Sequence, residues 1–440
     1  MRASNPRTRV GGRRRRARAR RPQGENMRLR HLSALSMFAA FAVSVELSAC
    51  ATTDEDGSSP ATNSSERVAG DANADEGVLP PDASIDGGDA DPPCVPEAFC
   101  PLPLFGLSDT NPMFDIRTHI NVIRGRSPSD VWAGGAIGAM AHFDGKAWQR
   151  SETFSGGPVS GIESVRGLWL RKTGEMAWAS VHPASTWVRG IDLVPSAYAQ
   201  PSADGWLAAK DVDVPNTVAR ALTAVWGMPD AEWVWGTSGT FSTDLSTYTN
   251  GLWRARIDAD AGTLEVRDPL PSGACKTLYG CWSMQALHGA TADDLWAVGE
   301  GGVTLHITGA QSDAPTFTAI DSLTRVSLNG VWATGAEMFA VGAGGTIRHY
   351  SGTGDSLEVV TDVPAVEALR AVWGTSAKDV WAVGDAACVL HWDGTHWSRI
   401  AVGGIDGHRR RPNLYTVWTG TPGKVWIGGD GVLLTLGGEP

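Results

Sequence analysis

The sequence predicts an all-β fold: a seven-bladed β-propeller of four-stranded antiparallel blades. Three observations predict it. Aromatic anchors recur at Trp132, Trp178, Trp235, Trp296, Phe339, Trp381 and Trp426, spaced 46, 57, 61, 43, 42 and 45 residues apart. Each is preceded by an upstream anchor seven to nine residues earlier: Arg124, Trp169, Trp226, His288, Trp332, Trp373 and Trp418. Between anchors lie short β-rich runs such as "TAVW", "DVWAVG", "CVLHW" and "HWSRI", punctuated by Gly-Gly, Asp-Gly or Ser-Gly. A period in the low forties without helical patterning suits a propeller blade.

The runs are taken as strands a, b, c and d of each blade. Asp144-Gly145 and Asp393-Gly394 supply tight-turn chemistry for the c-to-d hairpins. Runs such as "VWAVG" are apolar at successive positions, as a sheet covered on both faces requires, and blades stacked in a ring provide that cover. A buried Trp removes roughly 200 Å² from water, worth up to about 5 kcal/mol, so the aromatic period reads as wedges between blades. The second unit, "GLWLRKTGEMAWASVHPASTWVRG", has anchor spacing but poor turn chemistry, which leaves a six- or eight-bladed ring open. The seventh unit ends after "VLLTLGG" without a fourth strand. Because an unpaired edge invites aggregation, a segment within residues 103–118 is expected to supply it.

Ahead of the propeller, assigned to residues 94–440, three segments read differently. Residues 1–26 hold ten arginines and read as an untranslated or disordered extension, with Met27 as the start. Residues 27–49 combine a basic start with an apolar stretch too short to span a bilayer, as a signal peptide does. Residues 50–93 form an acidic, disordered tether beginning at Cys50.

The overall charge of −11 conceals a division. Residues 1–49 carry twelve Arg against two Glu, and residues 51–93 carry eleven acids against one Arg, so residues 94–440 keep −11. A body this acidic excludes nucleic acid as the main partner. Cys94 with Cys100 and Cys275 with Cys281 share a five-residue gap and read as two local disulfides of an exported protein. Cys388 reads as a buried, inert thiol.

His142, His306, His349 and His391 occupy one equivalent position on strand c. They read as packing histidines, because equivalents on separate blades lie too far apart to share a metal. No metal site or cofactor is expected. Asp130, Asp294 and Asp379, before strand b, read as turn stabilisers.

Whatever recurs in every blade is scaffold, so recognition is sought where the pattern breaks. The departures are residues 188–220, 255–285 and 403–415, all read as d-to-a connections that emerge on one rim. The candidate binding residues are Trp187, Arg189, Tyr198, Trp206, Lys276, Tyr279, Trp282, His408, Arg409, Arg410 and Arg411, since aromatics and arginines anchor interfaces.

Three resemblances accompany this reading. "LSAC", ending at Cys50, resembles the lipobox of bacterial lipoproteins and implies lipidation there and anchoring in the cell envelope, at either face of the outer membrane, with secretion as the alternative. "HFDGKAW" and "HWDGTHW" resemble the Asp-box of BNR-type propellers such as bacterial sialidases; that resemblance implies fold rather than activity. The whole pattern resembles secreted repeat lipoproteins of myxobacteria. The expected function is an envelope-anchored, monomeric interaction module that binds a protein or glycan through the d-to-a rim. A carbohydrate-active hydrolase or lyase with a site at the propeller mouth, or an assembly factor for an envelope complex, is the alternative. No catalytic grouping is visible in the sequence.

Overall fold

The structure is a computed structural model and describes residues 93–107, 112–152, 164–179, 186–195, 201–209, 221–239, 250–271, 273–405 and 410–438. Cys50, the signal segment and the tether lie outside the described residues. The rest forms seven four-stranded antiparallel blades and one small two-stranded sheet.

Strand a of the successive blades is Ile120–Ser127, Val165–Arg171, Ala221–Trp226, Met284–Thr291, Leu328–Thr334, Leu369–Ser376 and Leu414–Thr421. Each packs against the next, and the last packs against the first, so the ring is closed. The b strands carry the densest apolar runs, for example Asp294–Gly299 and Asp379–Gly384, with five of six residues buried in each. That is the signature of a sheet covered on both faces.

A recurrent glycine at the end of strand b has a steric cause. A Cβ on Gly135, Gly299, Gly342, Gly384 or Gly429 would sit 2.0–2.3 Å from the carbonyl oxygen of the residue preceding strand a. That same carbonyl accepts the N–H of the residue after the glycine, as in Ala136 to His119 at 2.8 Å and Asp385 to Ala368 at 2.9 Å. The glycine lets the b-to-c turn come close enough to stitch onto the entry of strand a.

Two expectations require correction. Blade 2 is a full blade, but Trp178 is not its second anchor. In the other six blades the two anchors are direct cross-strand partners, such as Arg124 with Trp132 and Trp373 with Trp381. In blade 2, Trp169 pairs with Met176, while Trp178 sits two residues further on opposite Gly167. A shift of two keeps a side chain on the same face, so Trp178 remains a fully buried wedge against Trp253.

The second correction concerns closure. The N-terminal end completes the last blade, but through Phe99–Pro101 rather than through residues 103–118. Phe99 is fully buried and edge-on to Trp381 of blade 6 at 5.4 Å, and the Cys94–Cys100 disulfide ties down the same strand. A three-residue strand, Phe-Cys-Pro, is too short to show alternation, which is why the sequence hid it. Of the 103–118 stretch, Phe105–Gly106 and Phe114–Asp115 instead form the small parallel sheet. Phe99→Ala is therefore expected to cost about 3–5 kcal/mol and Phe105→Ala far less, as read by urea unfolding; equal losses would return closure to the later segment.

Candidate functional site

The seven a strands line the axis, and every one carries a bulge at the same place. The residue left unpaired is Asn121, Arg166, Thr223, Gln285, Asn329, Arg370 and Tyr415 in blades 1 to 7. A bulge turns one side chain out of the ladder, here into the channel, where all seven line a cavity of about 100 Å³. Each follows an apolar residue and all but Tyr415 also precede an apolar residue or glycine (Ile-Asn-Val, Leu-Arg-Ala), so the ring is polar by position rather than by local composition.

Part of this ring holds the blades together. Asn121 donates to the Val165 carbonyl at 3.2 Å, Thr223 to Met284 at 2.7 Å and Asn329 to Leu369 at 2.9 Å, each bond reaching the next blade. Arg370 forms an ion pair with Asp385 on the b-to-c turn and lies 5.5 Å from the Tyr415 ring. Arg166 has no ion pair among the described residues, and burial pulls its pKa down.

The upstream anchors form a second tier along the channel. Five are tryptophans and two are not, and the two exceptions meet. The Arg124 guanidinium from blade 1 lies 4.7 Å from the centroid of the Trp373 ring of blade 6. His288 from blade 4 stands edge-on to the same indole, also at 4.7 Å. This contact is a waist: Arg124 and Trp373 line the polar cavity on one side and a second cavity of about 200 Å³ on the other. Burial lowers Arg124 to about 10. Burial first, and then the Arg124 charge, hold His288 at about 3. His288 Nδ1 accepts the Ala333 N–H at 3.1 Å, so the neutral ring carries its proton on Nε2. Among the described residues neither cavity has an Asp or Glu in its lining, although the body is acidic.

The d-to-a and b-to-c connections share the face onto which the polar ring opens. Of the ten large apolar side chains that stay exposed among the described residues, seven belong to these connections: Leu107, Ile137, Leu278, Trp282, Leu323, Val326 and Val366. Ile137 is 66% exposed and holds a φ of 55° that β-branched residues avoid. The d-to-a connection after blade 3 is a single turn, Cys275–Tyr279, clasped by the Cys275–Cys281 disulfide. It holds Leu278 out at 69% exposure.

The candidate rim residues therefore divide. Lys276 and Trp282 are exposed on this face, with Tyr279 half-buried between them against Phe317. Arg410 and Arg411 are exposed as well, and Arg411 Nε donates to the Ala386 carbonyl at 3.2 Å. Trp187, Arg189 and Trp206 leave the rim, because they lie on strands c and d of blade 2, Thr186–Arg189 and Trp206–Ala208, and residues 188–220 include the end of the first and all of the second. Trp206 is fully buried against Trp132, and Arg189 pairs with Glu175 at 3.0 Å while lying over Trp132. Both fasten blade 2 to blade 1. Residues 255–285 likewise include the end of strand c and the whole of strand d, Thr263–Arg267. Tyr198, His408 and Arg409 lie outside the described residues.

The four strand-c histidines are scaffold. Each stacks on its blade's second anchor, as His391 does on Trp381 at 4.0 Å. Each also binds the carboxylate that opens strand b: His142 to Asp130, His306 to Asp294, His349 to Glu337 and His391 to Asp379, at 2.8–2.9 Å. The carboxylates thus hold histidines as well as turns, and the His142 bond keeps Asp130 at about 2. Cys388 is buried, and burial raises its thiol to about 11, which suits an unreactive cysteine.

No protein-family model and no curated protein matches the chain. Solved β-propellers do. A structure described as YCF48 bound to D1 peptide aligns with TM-score 0.51 at 13% identity, over 78% of this chain and 96% of that one. YCF48 from Cyanidioschyzon merolae aligns with TM-score 0.51 at 13% identity, over 73% and 95%. The extracellular domain of BT4673, a putative one-component system from B. thetaiotaomicron, aligns with TM-score 0.51 at 12% identity, over 77% of this chain and 40% of that one. At these identities the likeness is one of fold. Neither the Asp-box proteins nor the myxobacterial lipoproteins gain support from these matches.

The buried histidine has a consequence for stability. Its folded pKa of about 3 lies below the ordinary 6.5, so the unfolded chain takes up a proton that the native state refuses. Stability contributed by neutral His288 is complete above pH 6.5 and is lost as pH falls towards 3, at about 1.4 kcal/mol per pH unit. His288→Gln keeps an acceptor for Ala333 N–H and removes the titration. The stability difference between wild type and variant should shift steadily in favour of the variant on acidification; a constant difference would mean the imidazole is not held neutral.

Proposed function

We propose that this protein is an interaction module of the cell envelope that recognises a protein partner on its d-to-a face. The observation that carries the reading is that one face holds most of the exposed large apolar side chains, seven of ten among the described residues. Apolar side chains gathered on one face of a protein suit an interaction site better than an even scatter over its surface would. A disulfide and a strained turn hold two of them, Leu278 and Ile137, in place, which limits the entropy lost on binding. Lys276, Trp282, Arg410 and Arg411 supply the aromatic and cationic groups typical of interface anchors. The similar fold of YCF48, solved with a D1 peptide, supports a protein ligand over a glycan.

The hydrolase alternative draws on one cluster at the mouth. Tyr415 hydrogen-bonds Asp430, which lies 3.4 Å from His119, and Arg370 flanks the phenol. Burial, and then Asp430, raise the Tyr415 pKa, so the phenol is a weaker nucleophile than a free tyrosine. That favours binding over catalysis.

Two disulfides fit an oxidising compartment, the envelope or beyond. Among the described residues, no helix is long and apolar enough to cross a membrane. Anchoring is assigned to an acylated Cys50 followed by the acidic tether. Cys50→Ser is expected to abolish labelling by a fatty-acid probe and release the protein from membranes; retention would remove the lipid anchor from this account. A photo-crosslinking side chain at Leu278 should capture a partner in intact envelopes, whereas one at Lys146, on the opposite c-to-d turn, should not. Equal capture, or capture from Lys146 alone, would place recognition elsewhere.

A further inference from the structure

Below the waist lies the larger cavity, lined by Arg124, Leu168, Trp226, Met228, His288, Trp373 and Trp418 among others. It is formed by the far ends of the a strands, away from the polar ring. We propose that this cavity binds a small organic carboxylate, with Arg124 supplying the counter-charge and the tryptophans packing on its apolar body.

The charge argument comes first. The two buried arginines elsewhere each fill several donors with backbone carbonyls, with only the Arg254 Nε left over. Arg254 donates to the carbonyls of Ala310, Ser312 and Asp313, and Arg348 to those of Ser322, Ile347 and Leu323. Among the described residues Arg124 makes one such bond, to the carbonyl of its own neighbour Ile123 at 2.7 Å, and its Nε, like that of Arg254, is left without a partner. Among the described residues no carboxylate pairs with it, and its cation–π contact with Trp373 is worth only about 0.5–2 kcal/mol. A desolvated guanidinium without an anion is costly, and lowering of its pKa by burial is the same cost in another form.

The second argument is the pattern. Five blades place Trp at this position, and the two that do not, blades 1 and 4, place their polar substitutes around one indole. The vacated space is the cavity, and both substitutes present donors. His288 uses Nδ1 as an acceptor, which leaves its Nε2–H without a partner among the described residues. One free donor and one charge without a counter-ion thus belong to residues that line one cavity, and a carboxylate offers two acceptor oxygens to a guanidinium in a fork geometry.

Size sets the class of ligand. Drug-sized molecules occupy pockets of about 300–1,000 Å³, and a cavity of about 200 Å³ takes something smaller. The apolar lining from Leu168, Trp226, Met228, Trp373 and Trp418 selects a carboxylate carried on a hydrocarbon or aromatic group over a bare inorganic anion. Such a group can come from a free metabolite or from the C-terminus of a peptide.

The full chain would be titrated with benzoate, benzamide and chloride by calorimetry and tryptophan fluorescence. A short peptide with a free C-terminus would be compared with its amidated twin. Benzoate is expected to bind about tenfold or more tightly than benzamide, since the charged pair is lost in the amide. Tighter binding by the free-ended peptide would identify a chain terminus as the source, and preference for benzoate a free acid. Arg124→Met should erase the preference for the acid, Arg124→Lys should restore part of it, and ligand-free Arg124→Met should melt no lower than wild type. Equal binding of benzoate and benzamide, or displacement of benzoate by chloride at equal concentration, would overturn the proposal. So would an Arg124→Met variant that melts well below wild type without ligand, because Arg124 would then serve the scaffold.

Discussion

Closing seven separate sheets into a ring requires every gap between neighbours to be filled to interior density. No blade buries both its faces alone. The wedge between blades is therefore the interaction on which the rest depends, and this chain fills it with large aromatic side chains from strands b, c and d. Trp206 fills the gap between blades 1 and 2, Trp178 and Trp253 meet across the next, and Phe99 occupies the last before closure. A ring built this way has little freedom to vary within its blades, which moves variation to the axis and to the connections.

The axis shows how one backbone device serves two purposes. A bulge repeated in all seven a strands gives the channel a polar tier in an otherwise apolar wall. Three of its side chains are consumed in binding neighbouring blades, and the rest line the mouth. The next tier follows a rule of tryptophans broken twice, and both breaks face Trp373. The outer strands behave differently: histidine, carboxylate and aromatic recur as a stacked unit in four blades, with ring centroids 4.0–4.5 Å apart. Repetition there marks support, and interruption along the axis marks chemistry.

The blade repeat was open to reading in the sequence because a β-strand imposes a period of two and a blade imposes a length. The anchors at Trp132, Trp296 and Trp381 needed no coordinates to be recognised as equivalent, and the two short-range disulfides followed from a shared gap. Blade 2 was misregistered by two residues, a slip that leaves a side chain on its own face and so leaves no trace in the pattern. The closing strand escaped because the three residues Phe-Cys-Pro are too few to show alternation. On the rim, attention to aromatics and arginines found Lys276 and Trp282 but missed Ile137, Leu323, Val326 and Val366, since nothing in a sequence distinguishes an exposed valine from a buried one.

By itself, the sequence determined the fold class, the disulfide partners and the acidic character of the body, because each follows from spacing or composition along the chain; it favoured seven blades, and the structure decided the count. Only the tertiary structure decided which strand closes the ring and which aromatic wedges lie between blades. It also decided that Arg124 and His288, 164 positions apart, share one indole. The physical reason is that closure brings strands a to a common axis, and proximity across an axis depends on a rotation that no local pattern encodes.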